Sequence, residues 1–148
     1  MGTTHQSLRV LGKSILSRLE NNKYIIFNPT KRNELQDSLY SELVKWIITD
    51  EDIVTQVRDQ VASRTEQLND YSITETEAFK SRRAAIRKEV NDNELHGFYF
   101  KGTLRDVCIN VGKFLFKTPI VEDVFESDEN IHKLVMDTIR KFDEGKIQ

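Results

Sequence analysis

One acidic segment occurs twice in this chain. Thr49-Asp50-Glu51-Asp52-Ile53 recurs as Ser127-Asp128-Glu129-Asn130-Ile131. At the same offset Val57, Asp59 and Val61 fall opposite Val135, Asp137 and Ile139. Further upstream, Leu19-Glu20-Asn21-Asn22-Lys23 is echoed by Val90-Asn91-Asp92-Asn93-Glu94, and each copy runs into an aromatic stretch, Tyr24 to Phe27 and Phe98 to Phe100. A repeat of this length restricts the fold to two similar units that share a core.

Each unit reads as helix, short extended segment, helix, capped helix. Leu8, Leu11, Ile15 and Leu19 step by three and four, which predicts an amphipathic helix over about 7–21, ended by Asn21-Asn22. Tyr24-Ile25-Ile26-Phe27 is too short for a helix and rich in strand formers. A second helix spans about 31–48 through Leu35, Leu39, Leu43, Trp46 and Ile47. Thr49 then caps a third helix carrying Ile53, Val57, Val61 and Leu68, with a break at Asn69 to Ser72. A fourth helix runs from about Thr74 to Val90 through Phe79 and Ile86.

The pattern restarts after Asn91-Asp92-Asn93. Gly97 to Phe100 is extended, Thr103 caps a helix carrying Leu104, Val107, Cys108, Val111 and Leu115, and Pro119 ends that helix or opens the next short one, with Ile120, Val124 and Phe125 on its face. Ser127 caps a last helix bearing Ile131, Leu134, Val135, Thr138, Ile139 and Phe142, stopped by Gly145. The segment Pro119 to Glu126 is an insertion, so the two offsets differ. The expected fold is a single all-α domain over 1–148, pseudo-duplicated with halves at about 7–68 and 74–145. The two aromatic segments are expected to pair as a minor two-stranded ribbon, each satisfying the other's backbone groups.

Composition agrees with helices. The 148 residues are 38% hydrophobic and 31% charged, with only 6 Gly and 2 Pro. A net charge of -2 gives no global basic field for nucleic acid or anionic lipid. No apolar run approaches the roughly 20 residues of a membrane span. Met1 to Gln6 carries no signal-peptide pattern, and Gln6 stands where a myristoylation signal needs Ser or Thr. The lone Cys108 excludes an internal disulfide framework. A cytoplasmic location is the expectation.

The first half resembles a known family. Ile15-Leu16-Ser17-Arg18-Leu19-Glu20-Asn21-Asn22, then Tyr24 to Phe27, the helix through Trp46 and Thr49 to Ile53 resemble the uncharacterised bacterial family called domain of unknown function 507, over about residues 8–65. In that family a helix ending in an acidic-Asn pair meets a short extended segment, and a later acidic cluster begins a long helix. The resemblance implies a helical fold and brings no catalytic residue.

The candidate chemistry is sparse. Asp50, Glu51 and Asp52 are adjacent, whereas a calcium loop needs alternating ligands and a central Gly, so they read as helix-start charge rather than a cation site. His5, His96 and His132 share no metal-ligand spacing with one another; Asp128 and His132 read as an outward surface pair, and His96 as a turn residue. Cys108 lies on an apolar stripe and reads as a buried thiol rather than a nucleophile. Lys80, Arg82, Arg83, Arg87 and Lys88 form the one basic cluster. It reads as a solvated face with intrahelical ion pairs; the sharper readings are a phosphate-binding strip or a dock for an acidic partner. Tyr24, Phe27, Phe98, Tyr99 and Phe100 read as core at the junction of the halves, with a ligand pocket between the halves as the sharper alternative.

No catalytic residue, cofactor or metal is expected. The chain reads as a non-catalytic protein-interaction or structural module with a protein partner. A nucleic-acid-binding regulator using helix 80–88 is the second reading, and an enzyme or ligand binder with a site between the halves the third.

Overall fold

The computed structural model describes residues 3–62, 71–89 and 94–142. The chain is mostly helical, in the order α1 His5–Asn21, β1 Ile25–Phe27, α2 Arg32–Trp46, β2 Ile47–Ile48, α3 Asp50–Ala62, α4 Tyr71–Glu89, β3 Glu94–Leu95, β4 Phe98–Phe100, α5 Leu104–Lys117, β5 Val121–Val124 and α6 Asp128–Arg140. The readings of Leu68, Asn69, Asp70, Val90, the 91–93 break and the Gly145 stop lie outside the described residues. Capping sets most of the helix starts. Thr4 and Thr103 each form a reciprocal box with the residue three positions on, and Ser127 accepts from the Asn130 N–H.

Four helices close a ring. α1 packs on α2, α2 on α5, α5 on α6, and α6 returns to α1. Leu8, Leu11, Ile15, Leu16 and Leu19 of α1 meet Leu35, Leu39 and Leu43 of α2, Val107, Val111 and Leu115 of α5, and Ile131, Val135 and Ile139 of α6 in one buried core. At roughly 1.5–3 kcal/mol per fully buried large apolar side chain, this ring dominates stability. The other two helices, α3 and α4, pack on each other around Ile53, Val57 and Ile86, and form a separate hairpin.

The strands join the two halves crosswise. β1 pairs antiparallel with β5, with Ile25 opposite Val124 and Ile26 opposite Asp123. β2 pairs antiparallel with β4, with Ile47 opposite Phe100 and Ile48 opposite Tyr99. Each half's first aromatic strand therefore takes the strand before the other half's last helix. The helices follow suit: α1 packs on α6, and α4 on α3. β3 adds to the outer edge of β4 through a two-residue turn, His96-Gly97, with φ 57 and 79°. Positive φ at both turn residues matches the strand twist of such hairpins.

Three expectations are corrected. The aromatic strands β1 and β4 do not pair with each other, because each finds an antiparallel partner beside it in the opposite half. Pro119 to Phe125 is not helical: Val121–Val124 extends as β5, whose backbone groups satisfy β1. Helix α2 ends at Trp46, since Ile47 turns extended to join β4.

Gly12 of α1 faces α2; a methyl group there would sit 3.6 Å from Leu43. The opposite groove between α2 and α5 is itself polar, lined by Ser38, Glu42, Lys45, Asn110, Lys113 and Lys117 around Phe114. Gly12→Arg is expected to cost about 3 kcal/mol or more by overpacking and charge burial, whereas Gly12→Ala, which fits the space, leaves the melting temperature equal or slightly raised. Thermal unfolding followed by circular dichroism checks both.

Candidate interaction surface

The basic helix is largely committed inside the molecule. Arg82 Nε donates to Gln56 Oε1 on α3 at 2.8 Å. Arg83 Nε donates to the Tyr99 hydroxyl at 2.7 Å, and its Nη2 lies 3.3 Å from Glu94. Arg87 pairs with the same Glu94 carboxylate. The pairs therefore run mainly to α3, β3 and β4 rather than along the helix; only Arg82 and Glu89, at 3.9 Å, form an intrahelical pair among the described residues. Lys80 and Lys88 are exposed.

Beneath these arginines lies a buried carboxylate. Asp50 is 6% exposed; it accepts from the Tyr99 hydroxyl at 2.8 Å and from the Thr3 N–H at 3.1 Å. The Thr3 hydroxyl accepts from the Asp50 N–H and donates to the Gly97 carbonyl at 2.7 Å. The Glu51 N–H donates to the Thr3 carbonyl. The segment before α1 thus caps the start of α3 and fastens it to the β3–β4 turn. Burial first, and then the bond to Asp50, push the Tyr99 phenol up to about 12.

The remaining sequence candidates are placed as follows. Thr49 and Asp52 form the reciprocal cap of α3, with N–H to carboxylate at 2.9 Å. Asp52 also takes His5 Nε2 at 2.5 Å, while His5 Nδ1 meets the Tyr40 hydroxyl at 2.5 Å, a three-helix junction that no sequence spacing signals. Glu51 accepts from the His5 N–H at 2.6 Å, so Glu51 and Asp52 both hold His5 while Asp50 holds Thr3 and Tyr99. His96 Nε2 lies 2.9 Å from the Arg140 carbonyl. His132 does not form the outward pair with Asp128; it is half-buried against Gly112 of α5, because α5 and α6 approach closely there. Cys108 is fully buried, and burial pushes its thiol up to about 12. Phe98 and Phe100 lie in the helical-ring core, Phe98 against Phe142 with ring centroids 5.3 Å apart, whereas Tyr99 faces the hairpin.

An apolar surface lies at the other sheet. Ile25 and Phe27 turn into the core and Ile26 turns out, 49% exposed. Its cross-strand partner Asp123 shares that face, and so does Phe125, two residues on and 56% exposed. The middle residue of β4, Tyr99, is covered by the hairpin, whereas the middle residue of β1 is bare. Glu20, Lys23, Ile25, Ile26, Phe27 and Phe125 line an open depression of about 490 Å³. Glu126 follows Phe125 in the chain, its carboxyl held below the usual range first by the Ser127 N–H and then by the Asn130 amide. Sequence reasoning placed Ile26 and Phe125 in elements without assigning them a surface. The legible signal was the alternation at Ile25-Ile26-Phe27, which turns one of three apolar residues outward in any strand with a single buried face.

No family model, curated protein or solved structure matches the chain.

The Tyr99 and Cys108 environments fix an alkaline response. Both groups are held neutral in the folded state, so the unfolded chain loses these protons first. Their contribution is fully present below the ordinary values of 9.0 and 10.0 and is lost as pH rises to about 12. Tyr99→Phe is expected to lower stability at pH 7 by about 1–3 kcal/mol, through the orphaned Asp50 acceptor, and to flatten the decline between pH 10 and 12. Denaturant unfolding across pH, with tyrosinate absorbance on the same samples, checks this.

Proposed function

We propose that this chain is a non-catalytic, cytoplasmic protein-interaction module, built from a duplicated half, that docks a protein partner on the β1–β5 face. The observation carrying the reading is the pairing of Ile26 and Phe125. These are two of the three large hydrophobic side chains exposed among the described residues, and they sit on one face of one small sheet, beside an open depression. Apolar side chains gathered on an exposed face favour association. The duplication is supported by the crosswise pairing of β1 with β5 and β4 with β2, and by the matching contacts of α1 with α6 and α4 with α3. The non-catalytic reading draws on how the buried polar groups are used. Asp50, Tyr99, Thr3 and Arg83 bond one another, and the Cys108 thiol is sealed in the core.

The nucleic-acid reading is weaker. Arg82, Arg83 and Arg87 already face Glu89 and Glu94, which leaves Lys80 and Lys88 for phosphate. The reading of a ligand site between the halves has less support still, since the second aromatic segment is fully buried.

Affinity capture from the native cell with the wild type and with an Ile26→Ser, Phe125→Ser double variant tests the proposal. The wild type is expected to retain a defined protein whose recovery falls about tenfold with the variant, whose melting temperature stays unchanged. Equal recovery by both baits sinks the reading.

A further inference from the structure

The groove between α2 and α5 holds more positive charge than the fold uses. Lys45, Lys113 and Lys117 line it against one carboxylate, Glu42. Glu42 is already engaged: it accepts from the Trp46 indole N–H at 3.2 Å and pairs with Lys45 at 3.3 Å. Lys113 and Lys117 are exposed and have no carboxylate partner among the described residues. They stand four apart on α5, where like charges repel. Lys117 closes the last turn of α5, and the helix dipole favours a cation there. Lys113 lies outside that turn, so the fold gives the pair no counter-charge.

Neutral donors lie beside these cations. The Ser38 hydroxyl makes no hydrogen bond among the described residues. The Thr118 hydroxyl accepts from the Ile120 N–H at 3.4 Å, which leaves its own proton to donate. The Lys101 N–H donates to the Trp46 carbonyl at 2.9 Å, so the end of α2 lies at the start of α5 and the two packed helices run antiparallel. Ser38 therefore lies toward Lys117 and Thr118, and the Glu42–Lys45 pair toward Asn110. Two ammonium groups and two hydroxyls thus line one end of an open groove of about 430 Å³, with half-buried Phe114 as its apolar wall. Small-ligand sites span roughly 300–1,000 Å³.

We infer that this end of the groove binds a phosphomonoester, its dianion between Lys113 and Lys117 with bonds from the Ser38 and Thr118 hydroxyls, and its organic group against Phe114. A phosphate ester offers close to two negative charges and three acceptor oxygens, whereas a sulfate ester or a carboxylate offers one charge. Neither Ile26 nor Phe125 lines this groove, so the inference stands apart from the docking reading above.

The probe is phenyl phosphate, titrated into the isotope-labelled full chain at neutral pH and low salt and followed by amide NMR, with phenyl sulfate and inorganic phosphate as comparators. Phenyl phosphate is expected to shift the amides of residues 38, 110 and 113–118. It should bind about tenfold tighter than either comparator, since the sulfate lacks the second charge and the inorganic ion lacks the ring. A Lys113→Gln, Lys117→Gln double variant should bind it about tenfold more weakly, while melting at the wild-type temperature or slightly above because a repulsive pair is gone. Absence of shifts at millimolar ester, shifts confined to other residues, equal binding of the phosphate and sulfate esters, or binding unchanged in the lysine variant overturns the inference. A phosphotyrosine peptide that binds tighter than phenyl phosphate assigns the phosphate to a partner protein, and a preference for the free ester assigns it to a metabolite; both outcomes support the site. The Ile26→Ser, Phe125→Ser double variant should bind phenyl phosphate as the wild type does, so the two readings fail separately.

Discussion

Short strands need partners, and apart from the β3–β4 hairpin the partners in this chain come from far along the sequence. β1 and β2 are separated by the 15-residue helix α2, β4 and β5 by the 14-residue helix α5, and the pairs that form are β1 with β5 and β4 with β2. The two ladders therefore act as cross-ties. Removing either half leaves a strand with unsatisfied backbone groups and a core strip without a cover. The four-helix ring depends on the same crossing, since α6 reaches α1 by way of β5 on β1. Folding must bring residues 25 and 124 together, a long-range contact that requires much of the chain to be in place first.

Within that frame α1 and α4 are held by different means. On the α1 side, Leu11, Gly12 and Leu16 let the helix settle against the ring. On the α4 side, Arg82, Arg83 and Arg87 make ionic and hydrogen-bonded links to Gln56, Tyr99 and Glu94. The hairpin then depends on Asp50. A carboxylate buried to this degree is costly alone, and here it is met by the Tyr99 hydroxyl and the Thr3 N–H, with Arg83 behind the phenol. Gly97 fits the same knot. Its φ of 79° suits glycine, and a methyl group there would stand 3.0 Å from the Asp50 carboxylate.

Helix periodicity and capping were the parts of the fold legible in sequence. The α1, α5 and α6 stripes and the Thr49, Thr103 and Ser127 caps depend on residues three and four apart, which a linear reading captures. Strand partnership was not legible, because Tyr24 to Phe27 and Phe98 to Phe100 look alike and nothing local states which edge each faces. Val121 to Val124 misled for a related reason: in four residues, helical and extended patterns are hard to separate, and pairing with β1 decides between them. The basic cluster was legible as charge but not as connection, since Glu94 and Tyr99 lie on another element. The apolar site was half-legible. Alternation turns Ile26 outward, but only the register with Asp123 shows that Phe125 joins it.

The same asymmetry that occupies one sheet exposes the other. β4 is covered on its outer face by the hairpin and on its outer edge by β3, and all three of its residues are buried. β1 has neither cover, and Ile26 meets solvent between the buried Ile25 and Phe27.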